Sequence, residues 1–327
     1  MPSADKPKKV TKRQHYVPQF YLRQWCDDEG GFYPIKVEER TPPKIKIFER
    51  KSDPSRFCYE NFFYAQHTGQ EDEISQNIER GFAEIEALLS VEIPKIERKI
   101  LNSEQITEVD KYRLSELMIF LWIRGKSHRD QSQKMIEKLF KDINKLQMPY
   151  IDKDPKMKML MQEKGITKEE MIEFAERGEY TVDVGNMQHL ALFKEMYGFC
   201  NMLSNKYWKI CISRDGKFIT TDAPYLDKSL SRHFMGNHFM VREQSFVLSP
   251  RVIIVTRYPR NNSKKNIVRK DITGNLALIQ QMNCHNLMQS IRFGFHRERD
   301  HLKELERFID YLYQNRDKLR SEMAEED

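Results

Sequence analysis

One apolar segment constrains the fold of this chain more than any other feature. Residues 104–124 are predicted to form a helix with apolar side chains around nearly its whole circumference: Leu114, Leu117, Met118, Leu121 and Trp122 on one face, and Ile119, Phe120 and Ile123 on the rest. A helix of that kind has to be buried on all sides. The chain has 327 residues, of which 39% are hydrophobic, and can therefore surround this helix with a sizeable core.

The remaining patterns predict an α+β fold. It is predominantly helical, with a small N-terminal strand-rich element and an antiparallel sheet in the C-terminal half. Residues 13–300 are interpreted as a single α+β domain that is strand-rich over 13–66, helical over 71–204, strand-rich over 205–270 and helical over 271–300. A disordered basic arm over 1–12 precedes the domain, and an amphipathic helix with an acidic tail over 301–327 follows it.

Three local patterns make sharper predictions. Thr167 is predicted to cap a helix, because Glu170 follows it at capping-box spacing. Pro94 is expected to kink or divide the helix that contains it. A hairpin is predicted from two strands and a turn: Tyr207–Ile212, Arg214–Lys217 and Phe218–Thr221.

Composition excludes several classes of protein. The five cysteines are widely spaced and include no Cys-x-x-Cys pair, which argues against a disulfide framework and against a four-cysteine zinc site. No apolar run approaches the roughly 18 to 20 residues that span a bilayer, and the N-terminus lacks the apolar core of an export signal. We therefore expect a cytoplasmic protein with reduced thiols and no membrane partner. The oligomeric state is not predicted.

Charge is distributed unevenly along the chain. The net charge is only +6, but residues 1–25 contain six Lys or Arg and one Asp, a local net charge of +5. The simplest interpretation is a solvated tail. The alternative is a basic arm that meets a phosphate backbone or an anionic protein, so nucleic acid and protein are both candidate partners.

The run Arg13-Gln-His-Tyr-Val-Pro-Gln-Phe-Tyr-Leu-Arg-Gln-Trp25 carries the first candidate for chemistry. Pro18 makes the backbone near His15 extended or turned rather than helical. An imidazole held there could act as base, acid or metal ligand, although a lone histidine is more often structural. Arg13, Gln19 and Arg23 flank His15 as candidate binding residues.

The second candidate is Phe218-Ile-Thr-Thr-Asp-Ala-Pro224, where a strand runs into a turn fixed by proline. Polar residues at such places often build sites. Asp222 could orient His15, activate a nucleophile or hold a divalent metal together with His15. Thr221 is a candidate binding residue beside it. The competing interpretation of Asp222 is an Asx turn or a helix cap, and no cofactor is identified.

A third segment follows the apolar helix. Arg124 and His128 lie four residues apart and would share a helix face, with Arg129 as a further cation. Their arrangement loosely resembles the spaced Arg and His of certain helical ribonucleases. The competing interpretation is a solvated helix end.

Three more polar residues lie within predicted helices. Asn283 would need hydrogen-bond partners if it were buried, and we therefore expect it to face a polar site. Glu79 and Glu86 are seven residues apart and lie on one helix face. Burial would raise their pKa values, although exposure is the more common fate of glutamate.

Several of these motifs together resemble a known family. The run from His15 to Trp25 is similar to the opening motif of an uncharacterised, mostly bacterial family catalogued as domain of unknown function 4238. Phe218–Pro224 resembles its Phe-Ile-Thr-Ser-Asp-x-Pro motif, with Thr221 in place of the usual Ser. Phe246–Pro250 resembles its Leu-Ser-Pro strand, and Asn283 matches an Asn near its end. The resemblance covers about residues 13–293. It implies a set of polar positions of the types that a hydrolytic site uses, without an established activity.

The leading functional hypothesis is hydrolysis of a phosphodiester in nucleic acid. His15 would be the general acid or base, and Asp222 would orient it. Arg124 and Arg129 would neutralise phosphate charge, and Asn283 would complete a shared cleft. Such a nuclease would suit a bacterial toxin or a phage-defence effector. The alternative is a non-catalytic module that binds nucleic acid or protein, with the same residues in a buried polar network. A purely structural interpretation, in which these residues cap turns and helices, is the third.

Overall fold

The structure is a computed structural model that describes residues 11–40, 43–67, 74–182, 186–227, 243–258 and 267–315. In these ranges the α-helices are α1 (Gln19–Leu22), α2 (Asn77–Leu101), α3 (Glu108–Arg124), α4 (Lys126–Gln147), α5 (Pro155–Lys164), α6 (Lys168–Arg177), α7 (Met187–Ser204), α8 (Leu276–Gln289) and α9 (Arg299–Gln314). The strands are β1 (Arg13–His15), β2 (Tyr33–Arg40), β3 (Pro43–Ile47), β4 (Tyr59–Asn61), β5 (Gln66–His67), β6 (Ile74–Ser75), β7 (Tyr207–Ile212), β8 (Thr220–Thr221), β9 (Tyr225–Asp227), β10 (Glu243–Ser249), β11 (Val252–Arg257), β12 (Ile267–Asp271) and β13 (Phe293–His296). Short 3-10 helices cover Arg23–Trp25, Pro54–Arg56 and Met148–Lys153.

The apolar segment forms α3, and α3 is buried as predicted. Its residues 117–121 are each at most 2% exposed, and α2 and α7 pack against it. The helix begins with a capping box: Thr107 Oγ1 accepts the N–H of Asp110, and the Asp110 carboxylate accepts the N–H of Thr107. These reciprocal bonds satisfy N–H groups that the first turn of a helix leaves free. Burial and capping therefore act together on this helix.

The sheets confirm the predominantly helical α+β fold, including the sheet in the C-terminal half. Five strands pair in the order β12-β7-β11-β10-β9, and four pair in the order β3-β2-β13-β8. The five-stranded sheet is antiparallel except at its edge, where β12 runs parallel to β7. In the four-stranded sheet, β13 lies between β2 and β8. Strands from the N-terminal and C-terminal parts of the chain thus share one sheet.

The predicted hairpin between residues 207–212 and 218–221 is wrong. Both edges of β7 are already occupied, by β11 and β12. The turn between the two segments does form, with Gly216 at φ +70°. The chain then leaves this sheet: the N–H of Phe218 donates to Pro250 O, and β8 pairs with β13 instead. Alternation of polar and apolar residues located the strand but carried no information about its partner.

Helix boundaries follow the capping and breaking residues. Thr167 caps α6 in a capping box with Glu170, as predicted. Pro94 lies inside α2 without dividing it. Gly125 has an extended backbone, with φ −67° and ψ 138°, and separates α3 from α4. Arg124 and His128 therefore belong to different helices, and the prediction that they share a helix face is wrong.

Some predicted segments lie outside the described residues. These are residues 1–10 of the basic arm and residues 316–327 of the C-terminal segment with the acidic tail. In the part of the chain that the structure describes, no helix is long and apolar enough to cross a membrane. The five cysteines are free thiols, and four of them are buried.

His296 on β13 is a buried polar residue of the four-stranded sheet. Its Nε2 lies 2.9 Å from Gly216 O, and its Nδ1 accepts the N–H of Glu298 at 3.0 Å. These two partners require a neutral ring with its proton on Nε2. Burial lowers the pKa of His296 to about 3. The fold therefore needs this histidine uncharged.

We expect acid to destabilise the fold through His296. The unfolded ring gains a proton below its ordinary pKa of about 6.5, and the folded ring does not until about pH 3. His296 alone should lower the free energy of unfolding by about 1.4 kcal/mol per pH unit as the pH falls through that window. Urea denaturation at stepped pH measures this slope. His296→Gln should show a slope smaller by that amount, and equal slopes for both proteins would contradict the assignment.

Candidate functional site

The N-terminal run begins as a strand with one outward and one inward face. β1 pairs with β4, so that Arg13 lies opposite Asn61 and His15 opposite Tyr59. Alternate residues of a strand point to opposite sides, which places Gln14 on the other face. Gln14 is fully buried, and its Oε1 accepts the N–H of Tyr64 at 2.6 Å. The pleat therefore exposes Arg13 and anchors the run through Gln14.

His15 is half-buried at the end of β1. Its Nε2 lies 3.4 Å from Ser55 O and 3.3 Å from Gln19 Nε2, so it can donate to the first or accept from the second. The Gln19 side chain also accepts from the Arg23 guanidinium at 3.3 Å. Burial lowers the pKa of His15, and the charge of Arg124 lowers it further. The imidazole is therefore neutral near pH 7.

Four exposed cations lie on the N-terminal element that carries His15, and we call them the basic surface: Lys12, Arg13, Arg23 and Arg56. The Arg13 guanidinium lies 5.0 Å from the centre of the Tyr59 ring. Asp53 lies close to two of these cations. Hydrogen bonds from Ser55 lower the pKa of Asp53, and the nearby charges of Arg23 and Arg56 lower it further. None of the four cations forms a salt bridge with another described residue. The four cations therefore face solvent, with Asp53 near two of them.

Arg124 is a buried structural cation. It is 1% exposed, pairs with Glu86 and donates to the backbone carbonyl of His15. Its guanidinium lies 4.9 Å from the ring centre of Phe120 and 5.2 Å from that of Phe82. These contacts fasten the N-terminal run to α2 and α3. A phosphate has no access to this side chain in the structure.

The other two residues of the predicted Arg-His segment also pack on aromatic rings. Arg129 lies 4.3 Å from the centre of the Phe63 ring and donates to Phe63 O at 3.1 Å. The His128 ring centre is 4.2 Å from that of Trp122, and its Nε2 is 3.3 Å from Ser132 Oγ.

Burial raises the pKa of Glu79, as predicted for a glutamate with apolar neighbours.

Asp222 is held by the backbone. Its Oδ1 accepts the N–H of Ile291 at 2.8 Å, and its Oδ2 accepts the N–H groups of Arg292 at 2.8 Å and Phe293 at 2.9 Å. The side chain is 1% exposed. Burial raises the pKa of Asp222 to about 6, although the three N–H groups act in the opposite direction. The carboxylate thus fixes the start of β13.

The segment that precedes Asp222 is fastened by side chains from distant parts of the chain. Asn283 on α8 donates to Lys217 O at 2.9 Å and accepts the N–H of Ile219 at 3.1 Å. Trp25 Nε1 donates to Phe218 O at 2.8 Å, and Tyr21 Oη lies 2.9 Å from Thr220 Oγ1. Thr221, which is buried, accepts the N–H of Ala223. The motifs that stand apart in sequence therefore meet in one buried polar network.

A cavity of about 130 Å³ lies beside this network. It is formed by the junction of α3 and α4, the chain from Asp222 to Tyr225, and the end of α8. Of the ten predicted site residues, Asp222 and His128 line it. Arg13, His15, Gln19 and Arg23 lie together on the N-terminal run, whereas Arg124, Thr221 and Asn283 are buried by the contacts described above. No three His, Cys, Asp or Glu side chains of the described ranges form a cluster that could hold a metal.

Two groups of residues near these features were not predicted. Arg56 and Tyr59 lie beside the N-terminal run, because β1 pairs with β4 and His15 approaches Ser55. His15 and Ser55 are 40 positions apart, which hides this proximity from local patterns. Gln131 and Tyr225 line the cavity. Gln131 lies on α4 and Tyr225 on β9, and neither belongs to a motif that would identify it from the sequence.

Comparisons with known proteins identify one family. The family model described as a protein of unknown function, DUF4238, matches residues 13–300. No curated protein and no solved structure matches the chain. The matched range contains the whole buried polar network and most of the basic surface.

We expect Asp222→Ala to lower the free energy of unfolding by at least about 3 kcal/mol, because three N–H groups lose a charged acceptor. Asp222→Asn keeps one carbonyl oxygen and should have a smaller effect. Urea denaturation measures both, and the exposed Asp28→Ala is the matched control. Wild-type stability of Asp222→Ala would show that the carboxylate does not support the fold.

Proposed function

This chain belongs to the DUF4238 family, and we propose that it is a non-catalytic module that binds nucleic acid through the basic surface. One observation carries the proposal: four exposed cations on the N-terminal element share no salt bridge with described residues. Free surface cations of this kind neutralise phosphates and release counterions, which supplies most of the affinity for a nucleic-acid backbone.

Aromatic and amide groups accompany these cations. Tyr59 lies under Arg13, and Gln19 links His15 to Arg23. Aromatic rings stack on bases without regard to sequence, and amides hydrogen-bond sugar and phosphate oxygens. A surface of this composition favours single strands, whose bases are free to stack.

The buried polar network supports binding over catalysis. Asp222 and Asn283 direct their polar atoms at backbone groups, and Arg124 is paired with Glu86. Residues engaged in this way stabilise the fold that presents the basic surface. Their chemical types, which suggested a hydrolytic site, are explained by the need to satisfy buried backbone groups.

We expect Arg13→Ala, Arg23→Ala and Arg56→Ala each to weaken binding of single-stranded RNA and DNA. Each should also reduce the slope of log K against log salt by about 0.7, because one phosphate contact is lost. Fluorescence anisotropy at stepped NaCl measures both quantities. The control is Arg177→Ala, which removes an exposed arginine paired with Glu173 on α6.

Two results would contradict this proposal. One is binding by the wild type that does not depend on salt, and the other is an equal loss of affinity in Arg177→Ala. Competition with polyglutamate tests the alternative that the basic surface binds an acidic protein rather than nucleic acid. If it displaces the oligonucleotide more effectively than unlabelled RNA does, the basic surface serves an acidic protein.

The phosphodiester hydrolase remains a second candidate, and one observation favours it. His15 lies among the cations of the basic surface, and burial keeps its imidazole neutral, which is the state that a general base needs. The role as a bacterial toxin or phage-defence effector belongs to this candidate. A divalent metal is part of its test.

The hydrolase candidate predicts that His15→Ala loses at least about 100-fold in cleavage while it keeps its affinity for nucleic acid. The substitution retains the backbone carbonyl that accepts from Arg124, so the fold should persist. Cleavage of single- and double-stranded RNA and DNA, with and without Mg²⁺, is the measurement. No cleavage by the wild type, or equal cleavage by His15→Ala, would leave the binding function alone.

A further inference from the structure

Helix α4 presents its apolar side chains to solvent. Leu139 is 54% exposed, Leu146 is 73% exposed, and Tyr150, just beyond the end of the helix, is 59% exposed. Phe140 and Ile143 are exposed as well. The structure describes α4 along its whole length, and none of its residues is buried. An amphipathic helix ordinarily turns its apolar face toward the core, so α4 lies the opposite way round.

The polar side of α4 makes contacts with the rest of the chain. Asn144 Nδ2 donates to Tyr180 Oη at 3.0 Å, and Lys141 Nζ lies 5.3 Å from the centre of the same ring. At 3.6 residues per turn, Asn144 and Lys141 lie about 100° and 160° around the helix from Ile143. These polar contacts orient α4 and leave its apolar side facing solvent.

The apolar residues follow a heptad pattern, and we call them the α4 stripe: Ile136, Leu139, Ile143, Leu146 and Tyr150. Successive members are separated alternately by three and four residues, which is the a/d spacing of a coiled coil. Within α4, isoleucine occupies the a positions and leucine the d positions. In parallel coiled coils this choice favours two strands over three or four. The α4 stripe therefore has the composition of one half of a helix dimer.

The residues that flank the α4 stripe suit a pairing of the stripe with itself. In a parallel pair, the side chain at each g position meets an e position of the other helix. Met135 would meet Phe140 of the second copy, and Asp142 would meet Gln147. The first pair is apolar, the second can form a hydrogen bond, and neither brings like charges together. None of the four is a lysine, which an anionic membrane surface would favour beside an apolar stripe.

The exposed apolar area matches what a stable dimer requires. With about 150 to 250 Å² for each whole side chain, the exposed parts of the five apolar residues present on the order of 500 Å². A standard interface buries about 800 Å² on each partner, and about 65% of a homodimer interface is apolar. The apolar share of such an interface is therefore also about 500 Å². Polar residues around the stripe supply the rim.

We propose that the α4 stripe binds the α4 stripe of a second copy of this chain, in a parallel two-stranded pairing around a twofold axis. The same surface then serves both chains, as it does in twofold homodimers generally. This dimer does not depend on the proposed function, because the basic surface lies on other elements of the fold.

Sedimentation equilibrium of the full chain, up to about 100 µM, measures the association, because interfaces of this size have micromolar or tighter dissociation constants. We expect a mass twice the 39.2 kDa of one chain. Leu146→Glu should raise the dissociation constant at least about 30-fold, as the loss of a hot-spot side chain does. Since Leu146 is exposed, the variant should keep its fold, which urea denaturation checks. Val91→Glu, at a position of α2 that is 55% exposed, is the matched control.

Three results would overturn the proposal. The first is a wild type that stays monomeric over this concentration range, and the second is a dimer that Leu146→Glu leaves intact. The third comes from flotation with phosphatidylserine vesicles. If a monomeric wild type binds the vesicles and Leu146→Glu does not, the α4 stripe serves a membrane surface instead of a second copy.

Leu139→Cys tests the parallel orientation. In a parallel pair the two copies of position 139 face each other at a d position, within reach of a disulfide. Mild oxidation should cross-link this variant into a dimer, whereas Lys134→Cys, on the opposite side of α4, should stay a single chain. Both variants carry Cys26→Ser, since the other four native cysteines are buried. A dimeric Leu139→Cys that does not cross-link would contradict the parallel pairing.

Discussion

A buried carboxylate fixes the start of the strand that joins the two parts of this fold. Asp222 accepts three consecutive backbone N–H groups at the start of β13. β13 in turn pairs with β2 from the N-terminal part and with β8 from the C-terminal part. Without the carboxylate, the N–H groups would be buried without partners, and the four-stranded sheet would lose the alignment of one of its two inner strands.

The motif around His15 contributes side chains both to the core and to the surface of the protein. Strand alternation turns Gln14 into the core while Arg13 faces solvent. Downstream, Tyr21 and Trp25 bond the buried segment near Thr220, whereas Gln19 and Arg23 stay at the surface. One short run therefore both anchors the fold and builds the basic surface.

Local features of the sequence predicted local structure well. The all-round apolar pattern located α3, and the spacing of Thr167 and Glu170 located the start of α6. The partner of β8 and the destination of the Asp222 carboxylate were not predictable, because both lie about 70 residues away along the chain. The candidate site was also hard to predict because it depends on contacts between residues that are distant in sequence. Residue types suggested chemistry, but only distant contacts reveal that Asn283 and Arg124 are engaged in the core.

The bonds from Trp25 to Phe218 and from Tyr21 to Thr220 join residues 193 and 199 positions apart. Consequently, the N-terminal run leaves the ribosome long before the residues that it bonds, Phe218 and Thr220, have been synthesised. At a synthesis rate of roughly 5 to 20 residues per second, this interval lasts on the order of 10 to 40 seconds. During that time the Tyr21 and Trp25 side chains lack their native contacts. Nascent chains of this protein should therefore be substrates for chaperones that bind exposed aromatic residues.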